Sequence, residues 1–202
     1  MRKFLPWIVV GGLLLIAAFW YVNIKNGAVK VNQEVSKEWG NVETSYQRRN
    51  DLIGNLVKTV KGAADFEKST LEAVTNARAS ASQVKIDPSN MTSEQLAQFN
   101  QAQGNLNSSL SRLLLTVENY PDLKANQNFL KLQDELASTE NQILTARTRF
   151  NESVQKYNNY ILVFPNSMFL GNYKEKPYFD AVAGAEKPVD VEFDFGNEKE
   201  AK

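Results

Sequence analysis

The chain contains neither cysteine nor histidine, and these two absences exclude several classes of function. Without cysteine it can form no disulfide, thiol nucleophile or thiolate metal site, and no lipid can be attached to an N-terminal cysteine. Without histidine it lacks the commonest general base near neutral pH and the imidazole ligands of many metal sites. The sequence therefore predicts no cofactor and no metal centre.

The chain also lacks an excess of charge of either sign and a glycine-rich phosphate loop. Lys and Arg together number 23, Asp and Glu together number 23, and the formal net charge is zero. A nucleic-acid-binding surface needs a basic excess, so we expect no nucleic-acid partner. The ten glycines are scattered and form neither a dinucleotide-binding nor a P-loop motif.

What the sequence does contain is one long uncharged run, FLPWIVVGGLLLIAAFWYVNI, at residues 4–24. A helix of this length spans about 30 Å, the thickness of the hydrocarbon core of a bilayer. Trp7 lies near one end of the run, and Trp20 and Tyr21 lie near the other, where aromatic residues anchor a helix at the two membrane interfaces. The run predicts a single-pass membrane anchor over residues 1–27, with a lipid bilayer as partner.

A cleaved signal peptide is the alternative interpretation of this run. Signal peptides have apolar stretches of about 7–15 residues that end in small residues. This run is longer and ends in the bulky Phe19, Trp20 and Tyr21, so we expect it to remain uncleaved. Basic residues are almost balanced on its two sides, and the short N-terminal segment before a large domain favours a domain outside the cytoplasm.

Beyond the anchor, apolar residues recur at helical spacing and predict an all-α domain. One stripe covers residues 32–64, a second follows a Thr92–Gln95 capping box and ends before a proline, and a third covers residues 123–163. Short loops predict that neighbouring helices pack antiparallel.

Residues 166–202 contain several glycines and prolines, and they predict an extended C-terminal tail. Within residues 189–195, apolar and acidic residues alternate with the period of a half-buried strand. We expect this tail to pack locally or fray. The alternative is a segment that docks onto the sheet edge of another protein.

Three stretches carry motifs long enough to be specific. They are RRNDLIGNLV at residues 48–57, ENYPDLKA at 118–125, and the Phe-Asn, Tyr-Asn and Phe-Pro pairs within 150–165. Together they resemble the LemA family of bacterial membrane-anchored proteins, and the likeness covers nearly the whole chain. The resemblance implies a four-helix bundle behind one membrane helix, a location in the bacterial cytoplasmic membrane, and no established catalytic activity.

The predicted fold class is therefore all-α. It consists of one N-terminal transmembrane helix, an elongated antiparallel four-helix-bundle-type domain over residues 28–165, and the extended tail. Gly54 and Gly62 interrupt the first stripe, and the family usually carries proline at the position of Gly54. We expect a bend at Gly54 and a bend or a break near residues 62–65.

Three charged residues lie on otherwise apolar stripes: Arg49, Glu140 and Arg147. A buried charge must be paired, so we expect a polar core network that fixes the register of the helices. The alternative is a polar groove that binds an anionic group or the side chain of a partner. A catalytic role is disfavoured, because one carboxylate and two guanidiniums supply no nucleophile.

These observations predict a non-enzymatic scaffold or adaptor that presents a helical bundle on a rigid stalk. Its expected partners are unidentified membrane or envelope proteins, and a second copy of the chain is a further candidate. The alternative is a membrane-tethered hydrolase or lyase that uses carboxylates. A cleft with two or more carboxylates of raised pKa favours the enzyme, whereas a packed bundle with an exposed apolar strip favours the scaffold.

Overall fold

A computed structural model of the chain describes residues 5–62 and 66–179, and all regular secondary structure within these ranges is helical. The helices are α1 (Leu5–Lys61), α2 (Lys68–Gln83), α3 (Ser93–Val117), α4 (Pro121–Lys124), α5 (Gln127–Leu162) and α6 (Asn166–Phe169). The all-α prediction is confirmed. The alternating pattern at residues 189–195 lies outside the described residues.

Helix α1 joins the apolar run to the domain without interruption, in one helix of 57 residues. It is the one helix in the described part of the chain that is long and apolar enough to cross a membrane, and only 6% of its most apolar window is buried. Burial of one face begins at Ile24 and continues through Ala28. The boundary predicted after residue 27 therefore falls inside a continuous helix, three residues beyond the first buried side chain.

The two glycines of the first stripe behave differently. Helix α1 continues through Gly54 and ends at Lys61, at the start of the break predicted for residues 62–65. Helix α2 then returns along α1, and the Nε atom of Arg78 donates to the carbonyl oxygen of Asn50 over 2.7 Å. A Cβ atom at Gly54 would lie 3.1 Å from the guanidinium carbon of Arg78. The absence of a side chain at Gly54 therefore lets the Arg78 side chain of α2 lie close against α1.

Local signals set the ends of the other long helices. Thr92 and Gln95 form the predicted capping box at the start of α3, each accepting a bond from the other's backbone N–H group. The third predicted helix starts later than expected. A short α4 comes first, and Asn126 then caps α5 by accepting from the N–H groups of Asn128 and Phe129.

Helices α1 and α5 form the long antiparallel pair of the domain. Three contacts mark their register: Arg49 with Glu140 at 2.9 Å, Lys156 with Glu34 at 3.2 Å, and the Tyr160 hydroxyl with the Ile24 carbonyl oxygen at 3.0 Å. The C-terminal end of α5 therefore lies beside the end of the apolar run. Burial of α1 begins at Ile24, the last residue of the run, so within the described part of α1 the run passes directly into the domain.

Buried apolar side chains form two clusters that follow one another along α1. The near core, beside the apolar run, includes Ile24, Trp39, Tyr46, Phe99, Phe150, Leu170 and Phe179. The far core includes Ile53, Leu56, Val74, Leu106, Leu113 and Leu136. Helices α1, α2, α3 and α5 all contribute to the far core, whereas loop and C-terminal residues complete the near core. The four-helix-bundle detail is therefore not confirmed for the domain as a whole.

Gly27 of α1 lies against the side chain of Tyr160 of α5. A Cβ atom there would lie 1.9 Å from the Tyr160 hydroxyl oxygen, whereas a Cβ atom at Gly40 would meet nothing within 4 Å. We expect Gly27→Ala to displace Tyr160 and lower stability by about 1–3 kcal/mol. Gly40→Ala should instead raise stability by about 0.5–1 kcal/mol, because alanine favours the helix.

Thermal unfolding of the full chain in detergent, followed by circular dichroism, measures both changes. A Tm that rises equally in the two variants would show that Tyr160 does not pack on Gly27.

Candidate functional site

Arg49 lies between the near core and the far core and is 1% exposed. Its guanidinium binds side chains of two other helices: Nη1 donates to Asn107 Oδ1 at 3.0 Å and to Glu140 Oε1 at 2.9 Å, and Nη2 donates to Gln103 Oε1. The ring of Tyr46 lies 4.9 Å from the guanidinium carbon. The site thus joins α1, α3 and α5 in one polar layer.

The two charges of this layer are buried to different degrees. The Arg49 side chain is 2% exposed, whereas that of Glu140 is 45% exposed. Glu140 therefore lies at the rim of the bundle and not inside the apolar stripe, as its helical spacing had suggested. The arrangement is a buried cation held by two neutral amides and by one carboxylate that water also reaches.

Arg147, the third charged residue of the predicted network, lies on α5 seven residues after Glu140. Its guanidinium carbon lies 4.7 Å from the centre of the Phe179 ring. It also lies close to Tyr46, whose pKa is raised by burial, while the charges of Arg147 and Arg49 oppose that rise. Tyr46 is therefore the residue between the two guanidiniums.

This geometry favours a register-fixing network over an anion-binding groove. Both Nη groups of Arg49 already donate to protein acceptors, and its Nε atom is buried with no hydrogen-bond partner among the described residues. No face of the guanidinium is open to an incoming anion. Sequence analysis missed the role of Gln103, although a polar residue at a stripe position among Phe99, Leu106 and Leu110 was a usable signal.

We expect Glu140→Gln to lower stability by about 1.5–3 kcal/mol, because it leaves a buried cation with neutral acceptors only. Glu34→Gln is the matched control. Its carboxylate is 41% exposed and also joins α1 to α5, but its partner Lys156 is 62% exposed. That change should cost at most about 1 kcal/mol.

Chemical denaturation of both variants in detergent gives the two values. Equal losses of stability in Glu140→Gln and Glu34→Gln would show that burial of the cation does not determine the strength of an ion pair in this domain.

Residues 170–179, which we name the C-terminal strap, lie along α5 and are held by two asparagines. Asn158 accepts from the N–H group and donates to the carbonyl oxygen of Lys176, both at 2.9 Å. Asn151 likewise accepts from the N–H group of Phe179 at 2.9 Å and donates to its carbonyl oxygen at 3.0 Å. Seven residues of helix rise about 10.5 Å and three extended residues span about 10 Å, so the two spacings match.

The strap ends in an aromatic residue that completes the near core. Phe179 is 4% exposed. Its ring lies 6.0 Å from that of Trp39, 5.4 Å from that of Phe150 and 6.4 Å from that of Phe99. The domain boundary predicted at residue 165 therefore divides side chains that pack together, and sequence analysis missed the strap because its contacts follow no period.

A cleft of about 860 Å³ lies between the strap and the loop before α3. Lys176 is buried beside it, where its amine donates to the carbonyl oxygens of Pro88 and Ser89 and lies over the ring of Tyr157. Burial lowers the pKa of Lys176, and the charge of Asp87 opposes this shift. The amine thus binds backbone carbonyl oxygens and fixes the strap to the loop before α3. It is not a nucleophile open to substrate.

The carboxylates near this cleft do not resemble catalytic acids. Hydrogen bonds lower the pKa of Asp87, chiefly from the Ser89 backbone, and that of Glu94, chiefly from its own backbone. Over residues 5–62 and 66–179, no group of three or more Asp and Glu side chains is arranged to hold a metal ion.

We expect Asn158→Leu to loosen the strap, because it leaves the buried N–H and carbonyl groups of Lys176 without partners. An unsatisfied buried group costs about 1–3 kcal/mol, so tryptic cleavage after Lys174 should accelerate roughly tenfold or more. Asn159→Leu changes the exposed neighbour on the same helix and is the control.

Equal cleavage rates in the two variants, measured by mass spectrometry of the released peptide, would contradict this role of Asn158.

The three predicted membrane-interface residues all lie on the exposed part of α1. Trp7 is 76% exposed, Trp20 is 48% exposed and Tyr21 is 44% exposed. Trp20 and Tyr21 also contact the domain, since the ring of Phe169 packs edge-on against both at 6.0 and 5.8 Å. The domain therefore reaches the end of the apolar run.

These features define a class of protein: an all-helical domain built on the continuation of an exposed, apolar N-terminal helix. A sequence profile described as the LemA family matches residues 38–193, which is most of the chain. The chain belongs to the LemA family, and the resemblance seen in its motifs is confirmed.

Relatives with curated names share about a quarter of their residues with this chain. Protein LemA of Metamycoplasma hominis is 25% identical over 154 residues, which cover 75% of this chain and 67% of the relative. Magnetosome protein MamQ of Magnetospirillum gryphiswaldense is 26% identical over 184 residues, and MamQ 2 of Paramagnetospirillum magneticum is 25% identical over 183, each covering 81% of this chain and 67% of the relative. None of these names is that of an enzyme.

Proposed function

We propose that the protein is a single-pass, membrane-anchored scaffold that holds a helical domain at the bilayer for other membrane or envelope proteins. One observation carries this proposal: α1 is exposed and apolar at its N-terminal end and is the central helix of the domain at its other end. An apolar stretch whose side chains remain outside the protein core is suited to lipid.

The continuity of α1 also supports an uncleaved anchor. Cleavage after Ala28 would remove Ile24 and Ala28 from the near core and separate Tyr160 from the carbonyl oxygen that it binds. The bulky end of the apolar run supports the same conclusion. We further propose that the domain lies outside the cytoplasm, as the short N-terminal segment favours.

The carboxylates support a scaffold over the alternative hydrolase or lyase. Such an enzyme needs a carboxyl group with a raised pKa to act as a general acid near neutral pH. Every resolved shift of a carboxyl pKa among the described residues is downward, and hydrogen bonds are the largest cause in each case: Glu38, Glu67, Asp87 and Glu94.

The absence of native cysteine allows one experiment to test orientation and partnership together. Leu115→Cys introduces a unique thiol at a side chain that is 72% exposed on α3. We expect a membrane-impermeant maleimide carrying a photoreactive group to label this thiol in intact spheroplasts. Illumination should then give discrete adducts with membrane or envelope proteins.

Labelling at an exposed polar position of the same helix, through Gln101→Cys, controls for random collision. Labelling only after lysis would reverse the orientation. Labelled protein that gives no adduct from exposed positions on α3 and α5, the latter through Leu144→Cys, would contradict the scaffold role.

A further inference from the structure

Residues 162–169, from the last residue of α5 through the end of the short α6, expose several large apolar side chains together; we name this segment the 162–169 turn. Phe164 is 80% exposed, Met168 is 69% exposed, and Leu162 and Val163 are each 54% exposed. Single exposed apolar residues are ordinary, but a group of neighbours on one turn marks a surface that meets something apolar.

This 162–169 turn lies at the level where the apolar run of α1 ends. The Phe169 ring packs on Trp20 and Tyr21, within the last turns of the run. Just before the turn, the Tyr160 hydroxyl binds the carbonyl oxygen of Ile24. The exposed apolar surface of the turn is therefore continuous with the apolar surface of the predicted membrane span.

A polar border follows on the domain side of the turn. The Lys25 amine lies 5.7 Å from the centre of the Tyr21 ring and 5.4 Å from that of Tyr173 on the C-terminal strap. Tyrosine and lysine at one level are typical of a helix leaving the hydrocarbon core for the headgroups. Two turns further along α1, Glu34 already forms an exposed ion pair with Lys156.

We propose that the 162–169 turn is a second membrane contact, which inserts its apolar side chains into the same leaflet that α1 leaves. The occupant of this surface is lipid, at the boundary between headgroups and acyl chains. The proposal rests on the membrane anchor proposed above and extends it. The domain would then be attached at two points and lie directly on the bilayer, with a fixed orientation.

Single cysteines in this cysteine-free chain test the proposal. The full chain is labelled with an environment-sensitive fluorophore, nitrobenzoxadiazole, through Phe164→Cys or Met168→Cys, and is reconstituted in phosphatidylcholine vesicles. We expect blue-shifted emission at both positions, and loss of that emission when the vesicles contain a lipid with a doxyl quencher near its headgroup.

The controls are Leu115→Cys and Leu144→Cys. These side chains are 72% and 65% exposed, similar to Phe164 and Met168, but lie further along the bundle from the apolar run. Probes at both control positions should keep the emission seen in water and lose none of it to the doxyl lipid. Circular dichroism of each labelled variant checks that the domain is folded.

A probe at Leu14, inside the apolar run, separates the two proposals. Leu14 is the midpoint of the run, about 15 Å from either interface, so its quencher is a lipid with the doxyl group deep in the acyl chain. If Leu14 is not quenched by that lipid, the anchor itself is wrong. If Leu14 is quenched while Phe164 and Met168 behave like Leu115, the anchor stands and the second contact is wrong. Blue-shifted emission at the turn without quenching by lipid would mean that a second copy of the chain covers it, which also overturns the proposal.

Discussion

The guanidinium of Arg49 is the constraint on which the arrangement of the long helices depends. A cation that is 1% exposed must have acceptors nearby, since an unpaired buried charge costs several kcal/mol. Its acceptors come from two helices, Gln103 of α3 and Glu140 of α5, and only one axial position of each helix brings them within reach. Apolar contacts tolerate small sliding movements of one helix along another, whereas the directional hydrogen bonds of Arg49 do not. This polar layer therefore separates the two cores and fixes the register between them.

That register determines where the domain meets the apolar run. Once Glu140 is held opposite Arg49, the antiparallel rise of the two helices places Tyr160 beside Ile24 and brings the end of α5 to the end of the run. The absence of a side chain at Gly27 leaves room there for the Tyr160 ring and hydroxyl group. A polar contact in the middle of the domain thus sets the geometry at the end beside the apolar run.

Sequence periodicity predicted the helices well because burial of one helix face imposes a period on apolar residues. The same period gives the position of a side chain around the helix axis only approximately. It therefore placed Glu140 in a buried stripe, whereas the residue lies at the rim of the bundle. It gave no sign of the C-terminal strap, whose contacts are amide pairs from Asn151 and Asn158 and one buried ring, that of Phe179. Composition likewise marks the end of the apolar run but cannot show that α1 continues through it.

The continuity of α1 has a consequence for any protein that binds this domain at a membrane. A flexible linker would let the domain sample many tilts, and each partner would have to restrict that freedom on binding. Here the apolar run and the longest helix of the domain are one helix, α1. Phe179 of the strap packs against it at Trp39, and Phe169 of α6 packs against it at Trp20 and Tyr21. The faces of α3 and α5 are thus held at a set height and direction relative to the apolar run. The scaffold proposed above would gain from this arrangement, because the orientation of the domain is fixed before a partner binds.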